Sequence, residues 1–230
     1  MSNADEIVAI SNQTKQDLVE TFKIDEDIIK VVYQSCNEVF YDKRTEAEQQ
    51  EVKEKWSLPN QFLLYVGALN ENKNVIIILE ALNSLRGKIN LPLVVVGQGA
   101  EYKKKMIEFA RKENLLDDLI FASEIANPSP LELSSFYQLA SAFIFPSFYE
   151  GFGIPILEAR FSGTPVIASN SSCLEEAGGE ESYYFNPEDA EELVDRLQQA
   201  LELEPRITEG LNELRIDHSI KSMMEIYTNY

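Results

Sequence analysis

The sequence predicts an α/β protein built on a doubly wound parallel sheet. Short runs rich in Val, Ile, Leu and Phe recur along the chain, most without polar alternation, which is the pattern of parallel strands buried on both faces. Helical periodicity lies between most of these runs. Several helix starts carry their own capping signals. Strand and helix alternating at this spacing imply βαβ units with right-handed crossovers.

The first 40 residues stand apart. Residues 7–10 read as a strand, 15–22 as a helix and 28–33 as a second strand, with a domain boundary near residue 34. A polar, charge-rich stretch at 37–55 reads as loop and helix. The main series of strands follows at 62–66, 93–96, 119–122, 142–145, 165–168 and 183–185. Val75, Ile78, Leu79, Leu82 and Leu85 share one helical face, as do Leu133, Phe136, Tyr137 and Ala140. The clearest face is Ala190, Leu193, Val194, Leu197, Ala200 and Leu201. Ser129-Pro130-Leu131-Glu132 supplies an N-cap serine, proline at the first position and glutamate at the third. Asn186-Pro187-Glu188-Asp189 repeats the cap-and-proline logic, with Asn186 as the cap.

Composition narrows the partners. The 230 residues are 44% hydrophobic and 26% charged, the balance of a globular protein. A net charge of −19 argues against nucleic acid, whose phosphates need a basic footprint, and against direct adhesion to anionic lipid. The two cysteines, Cys36 and Cys173, lack any zinc-site spacing and suit a reducing cytoplasm. Apolar runs fall short of the roughly 20 residues that span a bilayer, and no signal-peptide pattern opens the chain. The start of the sequence reads as that of a piece cut from a longer protein.

Chemistry concentrates after the strand at 142–145. Glu150 and Glu158 flank Gly151-Phe152-Gly153-Ile154-Pro155-Ile156-Leu157. Pro155 fits the first turn of a helix, and glycines precede it. Glu150 then lies in the loop at the strand's carboxyl end, with Glu158 about one turn into the helix. Free N–H groups at such a start suit a diphosphate or sugar hydroxyls. A carboxylate there can accept two hydrogen bonds from a ribose diol. By themselves these residues fit equally a glycine turn with two solvated glutamates.

The surrounding order decides between them. Phe145-Pro146-Ser147 precedes the segment and Gly163-Thr164-Pro165-Val166-Ile167-Ala168-Ser169 follows it. Upstream lie Tyr65-Val66-Gly67, Lys73-Asn74 and Val96-Gly97-Gln98-Gly99. This set resembles the glutamate–seven–glutamate pattern and flanking motifs of the group 1 (family 4) retaining glycosyltransferases, from about residue 5 to the end. The resemblance implies a Rossmann-like lobe of a two-lobed (GT-B type) enzyme. Residues 35–230 would be the nucleotide-sugar lobe, and 1–34 the remnant of the acceptor-binding lobe and the linker. It implies that Glu158 holds the ribose, Glu150 lies near the donor sugar, and Lys73 pairs with the diphosphate. Gly67, Gly151 and Ile154 belong to the loops that line the donor. The backbone N–H groups of Phe152 and Gly153 would meet sugar or diphosphate, and Ile125 would meet the base.

Further expectations come with that resemblance. The donor would be a UDP-, GDP- or ADP-sugar, with no cofactor and no metal. The acceptor, a sugar, lipid-linked or other molecule, would sit on the missing lobe. The implied setting is envelope polysaccharide or glycoconjugate synthesis in the cytoplasm, with peripheral attachment to the inner membrane face open to the full-length enzyme. The fragment alone would bind donor and transfer little. Two departures stand out: Ala68 and Asn72 occupy positions where the family often carries arginine, whose bidentate phosphate contacts lysine cannot copy. His218 reads as a surface or interlobe residue, Trp56 and Tyr183-Tyr184-Phe185 as packing, and Lys103-Lys104-Lys105 as a solvated helix face. A non-catalytic nucleotide-sugar-binding module, an epimerase or phosphorylase on the same architecture, and an unrelated doubly wound protein remain alternatives.

Overall fold

The structure, a computed structural model, describes residues 4–122, 127–202 and 211–228. The chain opens with strand β1 (Ile7–Ala9), helix α1 (Asn12–Phe22) and strand β2 (Ile29–Val31). β1 and β2 pair in parallel as a separate two-stranded sheet, with Ile7 opposite Ile29. The sequence assignments at 7–10, 15–22 and 28–33 hold, with ends shifted by one to three residues. Helix α2 (Glu46–Lys55) follows, closed by a capping box between Thr45 and Glu48.

The main sheet comprises β3 (Leu63–Val66), β4 (Leu93–Val96), β5 (Leu119–Phe121), β6 (Ala142–Phe145), β7 (Val166–Ser169) and β8 (Tyr183–Phe185). All pairs are parallel, in the order β5-β4-β3-β6-β7-β8. From β3 the chain winds outward through β4 and β5, then returns to β6 on the other side of β3. That reversal makes β3/β6 the topological switch point, where the loops leaving two neighbouring strands diverge and open a crevice.

Burial explains the uninterrupted apolar runs. Leu63, Leu64, Tyr65, Val94, Val95, Phe143, Ile144 and Ile167 are all inaccessible to solvent, so residues pointing to either face are covered. The covering helices are α3 (Ile76–Ser84), α4 (Ala100–Lys112), α5 (Pro130–Leu139), α6 (Ile154–Phe161), α7 (Leu174–Gly178) and α8 (Ala190–Glu202). Trp56 is core, as expected. It meets Phe136 edge-on at 5.5 Å, and its indole N–H donates to Glu132 at 3.1 Å. Helix α9 (Ile216–Thr228) returns to the N-terminal segment, where Ser219 Oγ donates to the Tyr33 carbonyl at 2.8 Å.

The capping box of α5 forms as written in the sequence. The Glu132 N–H donates to Ser129 Oγ at 3.3 Å, and the Ser129 N–H donates to Glu132 Oε2 at 2.8 Å. The cap of α8 is corrected. Asn186 closes only a turn, accepting from the Glu188 N–H, and the helix is capped three residues later by Asp189. Asp189 Oδ1 accepts from both the Glu191 and Glu192 N–H groups at 3.0 Å. Both residues are good caps, and the one adjacent to the helical run wins because its carboxylate reaches two free N–H groups.

Candidate donor site at the switch point

Two loops build the crevice. The first leaves β3 at Gly67 and continues the ladder beside β4, with the Gly67 N–H on the Val96 carbonyl at 3.0 Å and the Leu69 N–H on the Gln98 carbonyl at 2.8 Å. The approach is so close that a Cβ on Gly97 would lie 1.8 Å from the Gly67 oxygen, and one on Gly99 would lie 1.9 Å from the Leu69 oxygen. The Gly97-Gln98-Gly99 spacing therefore serves backbone packing between loops. Beyond it, Asn70 caps a single 3-10 turn, Glu71–Lys73, by accepting from the Lys73 N–H. That turn fixes the base of the Lys73 side chain.

The second loop leaves β6 and carries Glu150. Its backbone is pinned on both sides: the Glu150 N–H donates to Ser172 Oγ at 3.1 Å, and the Glu150 carbonyl accepts from Cys173 Sγ at 3.2 Å. Asn72 ties the two loops together. Its carbonyl accepts from the Phe148 N–H at 2.9 Å, and its side-chain amide donates to the Tyr149 carbonyl at 2.8 Å. The Phe148 bond is made by backbone, so only the bond to the Tyr149 carbonyl depends on the asparagine side chain. Ala68 contributes its carbonyl to the Tyr65 hydroxyl at 2.8 Å.

Lys73 and Glu150 meet across the crevice. The ammonium is paired with Glu150 Oε1 and lies 5.3 Å from the centroid of the Phe145 ring. The two side chains keep only 18% and 15% of their exposure, so the charges are shielded from water and act on whatever enters. Next to them begins α6. Gly153 caps it with φ 102°, a conformation that side chains resist, and no side-chain group caps the helix. Pro155 lies in the first turn, and the Ile156 N–H turns back to the Gly153 carbonyl at 2.9 Å. The backbone N–H groups of this first turn give the helix start its positive end.

Glu158 lies one turn further along α6, half-buried. Its Oε2 accepts from the Tyr137 hydroxyl at 2.8 Å. Burial pushes its carboxyl up to about 7, with the tyrosine hydrogen bond pulling the other way. Such a shift marks a carboxylate held where solvation is poor, a common property of ligand-binding groups.

The structure thus gathers Gly67, Lys73, Glu150, Gly151, Phe152, Gly153 and Ile154 at the carboxyl edge of the sheet, with Glu158 on the adjoining helix. Ile125 lies outside the described residues. The sequence marked Asn72 only as a departure from the family pattern and Tyr137 only as part of a helical face, and it did not single out Ser172 or the N-terminal segment that closes on the loop. Tyr33 stacks on Phe152 at 5.4 Å, and Thr14 Oγ1 donates to the Gly151 carbonyl at 3.4 Å. Asp17 accepts from the Tyr149 hydroxyl. Glu176 of α7 accepts from the Asn12 and Gln13 N–H groups at 2.8 and 3.0 Å. Side-chain polarity alone does not reveal such long-range pairings. Among the described residues no group of three or more His, Cys, Asp or Glu is placed to hold a metal ion, and no helix is long and apolar enough to cross a membrane. His218 is exposed on α9.

A six-stranded parallel sheet covered by helices, with a crevice at its switch point, is a Rossmann-like α/β fold. The sequence model for "Glycosyl transferases group 1" matches residues 46–214, well over half of the chain. The chain belongs to that family of glycosyltransferases. It is 30% identical over 203 residues to the serotype-specific mannosyltransferase WbdA of Escherichia coli, covering 86% of this chain and 24% of that protein. It is 28% identical over 208 residues to the Escherichia coli O-antigen chain mannosyltransferase B, covering 88% and 53%. The chain therefore spans between about a quarter and a half of the curated relatives it matches. The glycosyltransferase structure from Rickettsia africae ESF-5 shares the fold with a TM-score of 0.87 at 23% identity, over 98% of this chain and 63% of that one. Anabaena HepE, solved in complex with UDP and glucose, does so with a TM-score of 0.83 at 16% identity, over 99% and 64%.

Proposed function

We propose that this chain is the donor-binding lobe of a retaining glycosyltransferase that uses a nucleotide diphosphate sugar. The observation that carries the reading is the Lys73–Glu150 pair beside the start of α6, which no side chain caps, at the switch point of the sheet. In this reading the diphosphate lies against Lys73 and the α6 N-terminus, Glu150 offers its second carboxylate oxygen to sugar hydroxyls, and Glu158 takes the ribose diol. The bond between the anomeric carbon and the diphosphate oxygen breaks as the acceptor hydroxyl attacks from the same face. The acceptor proton passes to the departing phosphate oxygen. Lys73 and the helix start stabilise the charge that grows on that oxygen, and the rest of the rate comes from positioning.

The acceptor belongs to a second lobe in this reading. β1 and β2 form a two-stranded parallel sheet, too small to stand alone. Val8, Ile10, Val32, Ile216, Ile220 and Met223 line an open apolar groove between that sheet and α9. Ile220, Met224 and Tyr227 expose more than half of their surface on α9. This face fits the remainder of the acceptor lobe, and polysaccharide or glycoconjugate synthesis is the corresponding role. The relatives named as mannosyltransferases make mannose the first sugar to try.

Calorimetric titration of UDP-, GDP- and ADP-sugars into this chain tests the proposal. One of them should bind, Glu158→Ala should weaken it, and transfer should require the acceptor lobe. Absence of binding to all three contradicts it.

A further inference from the structure

We propose that Tyr137 is a positioning residue for the ribose site, fixing the Glu158 carboxylate in the orientation that receives the diol. The inference rests on the reading of Glu158 as the ribose ligand.

Tyr137 sits in the last turn of α5 and is wholly buried. Its ring is held edge-on between Phe40, at 5.8 Å, and Phe143, at 5.2 Å. Its own carbonyl accepts from Thr164 Oγ1 at 2.6 Å, which fixes the backbone behind the ring. The ring therefore cannot swing, and the hydroxyl points where the packing aims it, at Glu158 Oε2 2.8 Å away. Burial, and next the neighbouring Glu158, raise the phenol well above its usual range, so it stays a donor at every working pH. A free glutamate has three side-chain torsions to fix when a ligand arrives. A carboxylate already held by a rigid donor on one oxygen keeps its remaining lone pairs aimed, and the ordering cost of binding falls. A buried phenol that merely needed an acceptor would be content with any carbonyl. Here it is spent on the one carboxylate of α6.

The test is calorimetry on the full chain with whichever of UDP, GDP and ADP it binds, alongside the 2′,3′-dideoxy counterpart. The wild-type protein should prefer the nucleotide bearing the diol. Tyr137→Phe, which keeps the ring and removes the hydroxyl, should weaken that nucleotide by about tenfold, the size of one charge-assisted hydrogen bond. It should leave the dideoxy counterpart unchanged, and its effect should vanish in a Glu158→Ala background. Equal losses for both nucleotides, or no loss for either, overturn the positioning role while leaving the ribose reading intact. A wild-type protein blind to the diol overturns the ribose reading and this inference together. Should Tyr137→Phe fail to fold, 3-fluorotyrosine at position 137 keeps the hydroxyl and reports by fluorine NMR. Its resonance should move on adding the diol-bearing nucleotide and stay still with the dideoxy form, and the same response to both overturns the proposal.

Discussion

The Lys73 ammonium is paired with the Glu150 carboxylate across the β3/β6 switch point, and both charges are largely withdrawn from water. The lysine comes from the loop after β3 and the glutamate from the loop after β6, so the pair forms only when the sheet has assembled in this order. A lysine already held at the mouth of the crevice needs little reorganisation to meet an anion. Lys73→Ala should weaken nucleoside diphosphate binding by at least about tenfold, given roughly 1.5–3 kcal/mol for a charge-assisted hydrogen bond. The parent nucleoside, without phosphates, should bind as before. Calorimetry on the two ligands separates the effects.

Glu158 should make donor binding depend on pH. Its folded carboxyl lies near 7, above an unfolded value of about 4.3. Between those values the folded protein holds a proton that the unfolded chain has released. Stability of the free protein should therefore fall as pH rises through that window and level off above it. In the proposed reading the carboxylate is the form that receives the diol, so nucleotide-sugar affinity should rise between about pH 6 and about pH 8. The diphosphate of a nucleotide sugar is a diester, fully ionised throughout, and adds no titration there. Glu158→Gln should flatten both profiles, as read by thermal melts and calorimetry across pH.

Gly97 marks a contact that no side chain fits. Its missing Cβ faces the Gly67 carbonyl oxygen at 1.8 Å, and backbone cannot retreat as a flexible side chain can. Gly97→Ala should cost about 2 kcal/mol or more, or prevent folding, through forced separation of the loops after β3 and β4. Gly87, where a Cβ would have open space, is the control site. Its φ of 81° carries a local strain penalty but no clash, so Gly87→Ala should be milder, about 1 kcal/mol. Chemical denaturation of the two variants provides the comparison.

Glu176 of α7 holds the N-terminal segment in place by accepting from the Asn12 and Gln13 N–H groups and the side chain of Asn12 at the start of α1. A carboxylate at a helix N-terminus contributes about 1 kcal/mol through its hydrogen bonds and the helix dipole. Glu176→Ala should speed amide hydrogen exchange over α1 and β1 while leaving the main sheet protected. Exchange read by mass spectrometry distinguishes this from general destabilisation.

The main sheet was legible because parallel strands buried on both faces become unbroken apolar words, and all six were read within one or two residues. The ordered set of motifs was legible for a related reason: several lie at or just after the carboxyl ends of strands, and the parallel sheet brings those ends to one edge although its strand order differs from the chain order. Less visible was what depends on contacts between distant segments. Nothing in Asn72 itself announces that it staples Phe148 and Tyr149, and nothing in Glu176 announces Asn12. Helix α7 has five residues, too few for periodicity to emerge. The amphipathic spacing of Ile216, Ile220 and Met223 was present in α9, but it faces a groove rather than the core. The Asn186 cap failed because two adequate caps compete within four residues and only geometry ranks them.

In the proposed function the donor binds at the β3/β6 crevice. Amide chemical-shift mapping of the isotope-labelled chain during nucleotide-sugar titration tests it most directly. The account predicts the largest shifts at Gly67, Lys73, Phe152, Gly153 and Ile154. The opposite edge of the sheet has its own open depression, lined by Gln61, Lys88, Gly163 and Ala200 among others, and should stay still. Shifts centred on that depression, or confined to the groove beside α9, would contradict the account.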